Sequence, residues 1–288
     1  MAWLHPNGLT RRGFALSALP LGGLLARTEA PRPRWALLSD THVPGNPANE
    51  YRGFRPFENT MKAVSQVSEI KPDGVVICGD LARLEGEMAD YESLKRLLDP
   101  LPEDVPMGLV LGNHDNRKNF LRVFPKQPAA QEVKDKHVLV FETPLVRLVL
   151  LDSLFIVNQV SGLLGKGQRM WLESYLRSAS NLPTVLFVHH TLDDGDGSLL
   201  DAPRLFDIIR ERRMVKAIVY GHSHVYGYRK EGDIDLINLP AIGYNFSDAQ
   251  PVGWVEAVFT PEGAAFTLRA MAGNRANDRQ TTRIRWRI

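Results

Sequence analysis

The chain has 288 residues, 44% of them apolar, and carries 35 Lys and Arg against 33 Asp and Glu, a formal net charge of +2. That length allows one large folded domain or two small ones. The near-zero charge excludes a protein polarised as a whole for nucleic acid, and the single cysteine excludes an internal disulfide framework. Stability must therefore come from an apolar core.

Residues 1–30 read as a separate module. A polar start leads into Thr10-Arg11-Arg12-Gly13-Phe14-Ala15-Leu16, then an apolar stretch to Ala26, then Thr28-Glu29-Ala30 before Pro31. This is the pattern of a twin-arginine export signal cleaved after Ala30, which predicts a periplasmic or secreted protein. The stretch from Phe14 to Ala26, interrupted by Pro20, Gly22 and Gly23, falls short of the ~20 residues of a membrane-spanning helix, so stable membrane insertion is not expected. Removing the module takes away three arginines and Glu29, and the charge of the remainder falls from +2 to zero.

From residue 31 onward the pattern alternates between strands and helices. Trp35–Leu38, Val75–Cys78, Gly108–Leu111, Val185–Val188 and Ala217–Tyr220 are apolar runs that read as short buried strands. After the first, Thr41–Pro56 is rich in Pro, Gly and Asn and reads as a long loop over whatever site lies there. A helix follows over Phe57–Ile70, with Met61, Val64, Val67, Ser68 and Ile70 inward and Lys71-Pro72-Asp73-Gly74 as its stop. A second helix covers Met88–Leu98, with Tyr91, Leu94, Leu97 and Leu98 as its apolar face. A short helix is expected over Asn116–Phe124, a hairpin from Val138–Glu142 with Val146–Leu151, a helix over Gly165–Ala179 with Met170, Trp171, Tyr175 and Leu176 inward, and another over Asp201–Arg213. Beyond His224 the pattern changes to strands at Asp235–Leu239, Gly253–Thr260, Ala265–Met271 and Thr282–Ile288. In the last of these, Arg283, Arg285 and Arg287 alternate with Ile284, Trp286 and Ile288 and are expected to form a solvated face, or alternatively a phosphate-binding patch.

Six of the eight histidines fall in five patches that follow the buried strands: Asp40-x-His42, Gly79-Asp80, Gly112-Asn113-His114-Asp115, His189-His190 and Gly221-His222-x-His224. Loops beyond the carboxyl ends of strands are where open α/β sheets bind ligands, so five such loops can converge on one crevice. Carboxylate, carboxamide and imidazole without thiolate suit manganese, iron or zinc. A carboxylate can bridge two ions about 3.5–4 Å apart, and such a pair clamps a phosphoryl oxygen and lowers the pKa of a water to present hydroxide. Asp80 is the candidate bridge. His137, His5 and Cys78 carry no ligand pattern and are expected to be structural.

In order and completeness these patches resemble the calcineurin-like metallophosphoesterase family. The segment Gly162-Leu163-Leu164-Gly165-x-Gly167-Gln168-x-x-Trp171-Leu172 is similar to its class III cyclic-nucleotide-phosphodiesterase branch. The resemblance implies a four-layer αββα sandwich, two mixed β-sheets packed face to face with flanking helices, in one domain over 31–288 with 225–288 completing the second sheet. It implies two transition-metal ions: one on Asp40, His42, Asp80 and His224, the other on Asp80, Asn113, His189 and His222. His114 would give a proton to the leaving oxygen, Asp115 would orient His114, and His190 would have a supporting place. Thr191 stands where the family often has Pro, a departure in loop shape.

The implied reaction is hydrolysis of a small-molecule phosphate ester, favouring a phosphodiester, by metal-activated hydroxide. Phosphomonoesterase, nucleotide pyrophosphohydrolase and a catalytically silent metal-binding scaffold remain open, and a nucleic-acid partner is not expected. Arg52, Arg55 and Arg83 could contact a second phosphate or serve as surface ion-pair residues.

Overall fold

The computed structural model describes residues 32–125 and 129–288, so the export-signal reading of residues 1–30 lies outside the described residues. In chain order the elements are β1 (Arg34–Leu38), α1 (Pro56–Ile70), β2 (Gly74–Cys78), α2 (Met88–Leu98), β3 (Met107–Val110), α3 (Arg117–Val123), β4 (Ala130–Gln131), β5 (Val138–Glu142), β6 (Arg147–Leu150), α4 (Gly165–Ser178), β7 (Thr184–Phe187), α5 (Ala202–Ile209), β8 (Val215–Tyr220), β9 (Gly227–Glu231), β10 (Ile234–Asn238), β11 (Pro251–Thr260), β12 (Gly263–Gly273) and β13 (Thr281–Arg285).

The strands form two mixed sheets, one in the order β13-β12-β11-β1-β2-β3 and the other β4-β5-β6-β7-β8-β10-β9. Alternating side chains explain how they pack. Trp35, Leu37, Val76 and Cys78 from the first sheet meet Leu148, Leu150, Val185, Phe187, Ala217 and Val219 from the second in one buried cluster. The opposite faces are buried too. Leu38, Val75 and Ile77 pack with Val64 and Val67 of α1 and Tyr91 and Leu94 of α2, while Leu186, Ile218 and Tyr220 pack with Leu172 and Leu176 of α4 and Leu205 and Ile209 of α5. This is the four-layer α/β sandwich, and burial on both faces is why the central strands read as unbroken apolar runs. Among the described residues no helix is long and apolar enough to cross a membrane.

Several expectations change in detail. The segment after residue 225 does not complete one sheet: β9 and β10 extend the second, whereas β11, β12 and β13 join the first through the β1–β11 pairing. Met61 and Met170 are exposed, at 53% and 59%, and the buried face of α4 is instead Gln168, Leu172 and Leu176. Trp171 and Tyr175 stack on each other, centroids 5.2 Å apart, at the edge of the core.

The arginine row of the last strand is not uniformly solvated. Arg283 and Arg285 are exposed, but Arg287 is buried. Its guanidinium donates to the carbonyls of Ile209, Arg210, Arg212 and Val215 and to Asp233 Oδ1 at 2.6–3.2 Å. The first three carbonyls belong to the end of α5 and the turn after it and the fourth to the first residue of β8, so Arg287 acts as a C-cap supplied from far along the chain and ties that helix end to the next strand. The helix therefore ends at Ile209 and not at Arg213. Replacing Arg287 with Met should cost about 3 kcal/mol, because buried carbonyls lose a charged donor. Arg285→Ala should stay within about 0.5 kcal/mol; urea unfolding of the two variants checks the contrast.

Candidate metal centre

Asp40 and His42 follow β1, Asp80 follows β2, Asn113 and His114 follow β3, His189 and His190 follow β7, and His222 and His224 follow β8. Loops from both sheets thus meet at one end of the sandwich. The backbone is strained where they do. Ten described residues other than glycine have positive φ, and five of them are Asp40, Asp80, His42, His222 and His224. Each costs on the order of 1 kcal/mol and persists only where surrounding bonds over-determine it.

Those bonds run between loops. Asp40 N donates to Gly79 O (3.0 Å), His42 N to Asp80 O (2.9 Å), and Gly243 N to Asp40 O (2.9 Å). His222 N donates to Asp40 Oδ2 across the seam between the sheets (3.1 Å). Gly112 is required by close approach, since a Cβ there would lie 2.2 Å from Asp80 Oδ1.

The ring nitrogens are assigned by their partners. His42 Nδ1 lies 3.3 Å from Arg83 O, His189 Nδ1 2.8 Å from Cys78 O, and His224 Nδ1 2.7 Å from Tyr244 O. A carbonyl can only accept, so each Nδ1 carries a proton, and in a neutral ring each Nε2 presents a lone pair. The Nε2 atoms of His42 and His224 are 3.1 Å apart. Two lone pairs at that distance repel unless a cation lies between them. Buried Asp40 Oδ1, Asn113 Oδ1, His189 Nε2 and His222 Nδ1 have no hydrogen-bond partner, although buried polar atoms are nearly always paired. These atoms are the donors a metal site needs. Asp40, His42 and His224 can bring ligand atoms within 4.8 Å of one another, as can Asp80, His189 and His222, and His42, Asp80 and His114.

A calcineurin-like phosphoesterase family model matches residues 33–226. The chain belongs to the calcineurin-like phosphoesterase family. It is 31% identical over 204 residues to a "probable cyclic nucleotide phosphodiesterase" of Rhodopseudomonas palustris, covering 66% of this chain and 71% of the relative. It is 26% identical to a glycerophosphodiester phosphodiesterase of Enterobacter lignolyticus, covering 75% and 81%. In fold it is similar to a dimetal phosphatase from Danio rerio, with TM-score 0.67 and 17% identity over 90% of this chain and all of the other. The phosphoesterase is thus a metal-dependent hydrolase of phosphoric esters.

Electrostatics prepare the donors. Burial holds His42 down to about 3 and His222 to about 4, so both are neutral and open to a metal. Burial lowers His189 too, but Asp80 and Asp40 beside it push it up to about 9. Burial raises Asp40, yet His224 and His189 hold it below the usual carboxylate range.

Asp115 does not orient His114. His114 Nδ1 is held by Leu84 O at 2.9 Å. The Asp115 carboxylate instead accepts from the backbone N–H groups of Leu81, Ala82 and Gly112 and from Tyr91 Oη, at 2.8–3.2 Å. It ties the Asp80 loop to the Asn113 loop. A short polar residue three positions after Gly112 closes its own loop more readily than it reaches its neighbour's ring.

Of the other histidines, His190 Nδ1 meets Ser153 Oγ at 2.7 Å, and His137 bonds Leu109 O at 3.0 Å away from the site. Cys78 is buried, and its Sγ donates to Val188 O at 3.4 Å. Arg55 pairs with Glu58 and Glu50, Arg52 bonds the carbonyls of Asn245 and Phe246, and the Arg83 guanidinium lies 5.0 Å over the Tyr51 ring.

Sequence reasoning missed Ser39, whose Oγ donates to Asp40 Oδ2 at 2.5 Å. It also missed Tyr244, whose ring packs 4.8 Å from both His42 and His224. A Tyr-x-Phe pair in the loop after β10 was the available signal, but no spacing tied it to the histidines. Asp115→Ala should destabilise the protein by about 3 kcal/mol and Tyr91→Phe by about 1 kcal/mol. Because Leu84 holds His114, Asp115→Ala protein that remains folded should keep the wild-type dependence of rate on leaving-group pKa; calorimetric unfolding and a series of substituted phenyl esters measure both.

Proposed function

We propose that this phosphoesterase hydrolyses phosphodiesters at a binuclear centre, with Asp40, His42, Asp80 and His224 holding one ion and Asp80, Asn113, His189 and His222 the other. The observation that carries this reading is the position of one atom. Asp80 Oδ2 lies 3.7 Å from His42 Nε2 and 3.3 Å from His189 Nε2, between the two ligand groups. Its other oxygen accepts from His114 N at 2.9 Å, which fixes the carboxylate's rotation. The mixed N/O donor set without thiolate favours manganese, iron or zinc. Bound there, the ions supply Lewis acidity for the phosphoryl oxygens and lower the pKa of the attacking water.

The chain's own residues supply orientation and proton transfer. With Nδ1 of His114 donating to Leu84 O, Nε2 carries a proton when the ring is an imidazolium; it can give that proton to the leaving alkoxide and end as the neutral ring protonated at Nδ1, and the fixed ring needs no reorientation to do so. Burial of Asp40, Asp80 and His189 at the floor keeps water from competing for the ligand atoms. A diester substrate is supported by the names of the relatives, cyclic nucleotide and glycerophosphodiester phosphodiesterases.

Metal-stripped protein reconstituted with manganese is expected to hydrolyse bis-p-nitrophenyl phosphate; no turnover with any divalent transition metal would favour a silent scaffold. Asp80→Asn should lose both ions, and full occupancy of both would remove the shared ligand. His114→Ala should keep the ions and slow turnover by roughly 10²–10⁴, most for poor leaving groups. The proposed organisation is a twin-arginine leader over residues 1–30 and a catalytic domain over 31–288, acting in the periplasm or outside the cell. Replacing Arg11 and Arg12 by lysines should trap a leader-fused reporter in the cytoplasm; export undiminished by that change would refute the signal.

A further inference from the structure

The pocket over the ligand groups has a volume of about 450 Å³, and among its polar lining stand Val160 and Phe246. These two leave 58% and 50% of their surface in solvent. Large apolar side chains left open in a pocket that also holds the chemistry mark a place where a ligand's apolar surface is covered.

Phe246 is held firmly. Its ring lies on His224 with centroids 4.4 Å apart and planes 27° apart, and meets Tyr244 edge to face at 5.6 Å. Arg52 donates to the carbonyls of Asn245 and Phe246 at 3.0 and 2.9 Å, and Asn245 Nδ2 donates to Gln250 O at 2.7 Å. A ring fixed this way loses little freedom when a ligand covers it.

Val160 belongs to the other ligand group. A Cβ built on Gly197 would lie 2.7 Å from Val160 Cγ1 and 3.7 Å from His222 Nε2, so a side chain there would intrude on the space that Val160 and His222 border. The two apolar side chains thus stand beside different ligand groups, as the two ester arms of a diester centred between those groups would.

We propose that Phe246 receives the nucleobase on one ester arm of the substrate, so that the site prefers nucleotide esters to glycerol esters. The inference rests on the phosphodiester reading and narrows it. A glycerol arm is small and hydroxylated and covers neither side chain, whereas a base offers a flat π surface to an aromatic ring. Contact of that kind changes affinity by roughly 5- to 150-fold per base.

The test is calorimetric binding of two monoester products, AMP and glycerol 3-phosphate, to the metal-loaded full chain and to its Phe246→Ala and Phe246→Tyr variants. AMP is expected to bind at least about tenfold more tightly than glycerol 3-phosphate to the unaltered protein. Phe246→Ala should erase that preference while leaving glycerol 3-phosphate within about twofold, and Phe246→Tyr should retain it. Equal binding of the two probes to the unaltered protein, or equal weakening of both by Phe246→Ala, overturns the proposal. A protein that shows the Phe246-dependent preference but turns over no diester with any metal would sink the phosphodiester reading and leave this one standing; a diesterase without the preference would do the reverse.

Discussion

Two carboxylates buried side by side are the constraint on which this structure depends. Asp40 and Asp80 sit at the ends of neighbouring parallel strands and are almost wholly removed from water. Like charges in such a place are tolerated only if cations or many donors surround them. His189 lies within 3.9 Å of one and 3.3 Å of the other, and backbone N–H groups of His222 and His114 point at them. Asp40 Oδ1, Asn113 Oδ1, His189 Nε2 and His222 Nδ1 have no hydrogen-bond partner, so the cluster is not a self-sufficient salt-bridge network and offers open ligand atoms to a cation.

That demand explains the strain. Bringing donors from five strand ends into one small volume needs sharp exits, and five of the donor residues take left-handed backbone conformations. The sandwich supplies the rigidity that holds them. Its inner core joins the two sheets directly behind the site, and the hydrogen bond from His189 to Cys78 O spans the seam. Helices on both outer faces bury the other half of each central strand, so the strand ends have little freedom to relax.

The second set of constraints acts on neutral groups. Carbonyls of Cys78, Arg83 and Tyr244 each hold one ring nitrogen and leave the other for a ligand. Leu84 does the same for His114. None of these roles depends on the side chain of the residue that plays it, which is why they leave no mark in a sequence. Asp115 is the converse case. Its identity was legible, but its work is to accept backbone donors from two loops, a role that looks the same in sequence as orienting a histidine.

Much of the architecture and the candidate ligand set could be read from residue patterns. Apolar runs ending in Asp-x-His, Gly-Asp, Gly-Asn-His-Asp, His-His and Gly-His-x-His specify buried strands with candidate metal donors at their ends, because side-chain chemistry and strand periodicity are local properties. Tertiary structure decided what depends on pairing across long separations. It divided the last strands between two sheets through the β1–β11 contact. It buried Arg287 against the end of a helix some 78 residues away, set Asp80 Oδ2 between two groups of histidines, and placed Phe246 on His224 at the pocket mouth. Each of these is a matter of distance between atoms remote in the chain, and a one-dimensional pattern carries no information on distance until the sheets have packed.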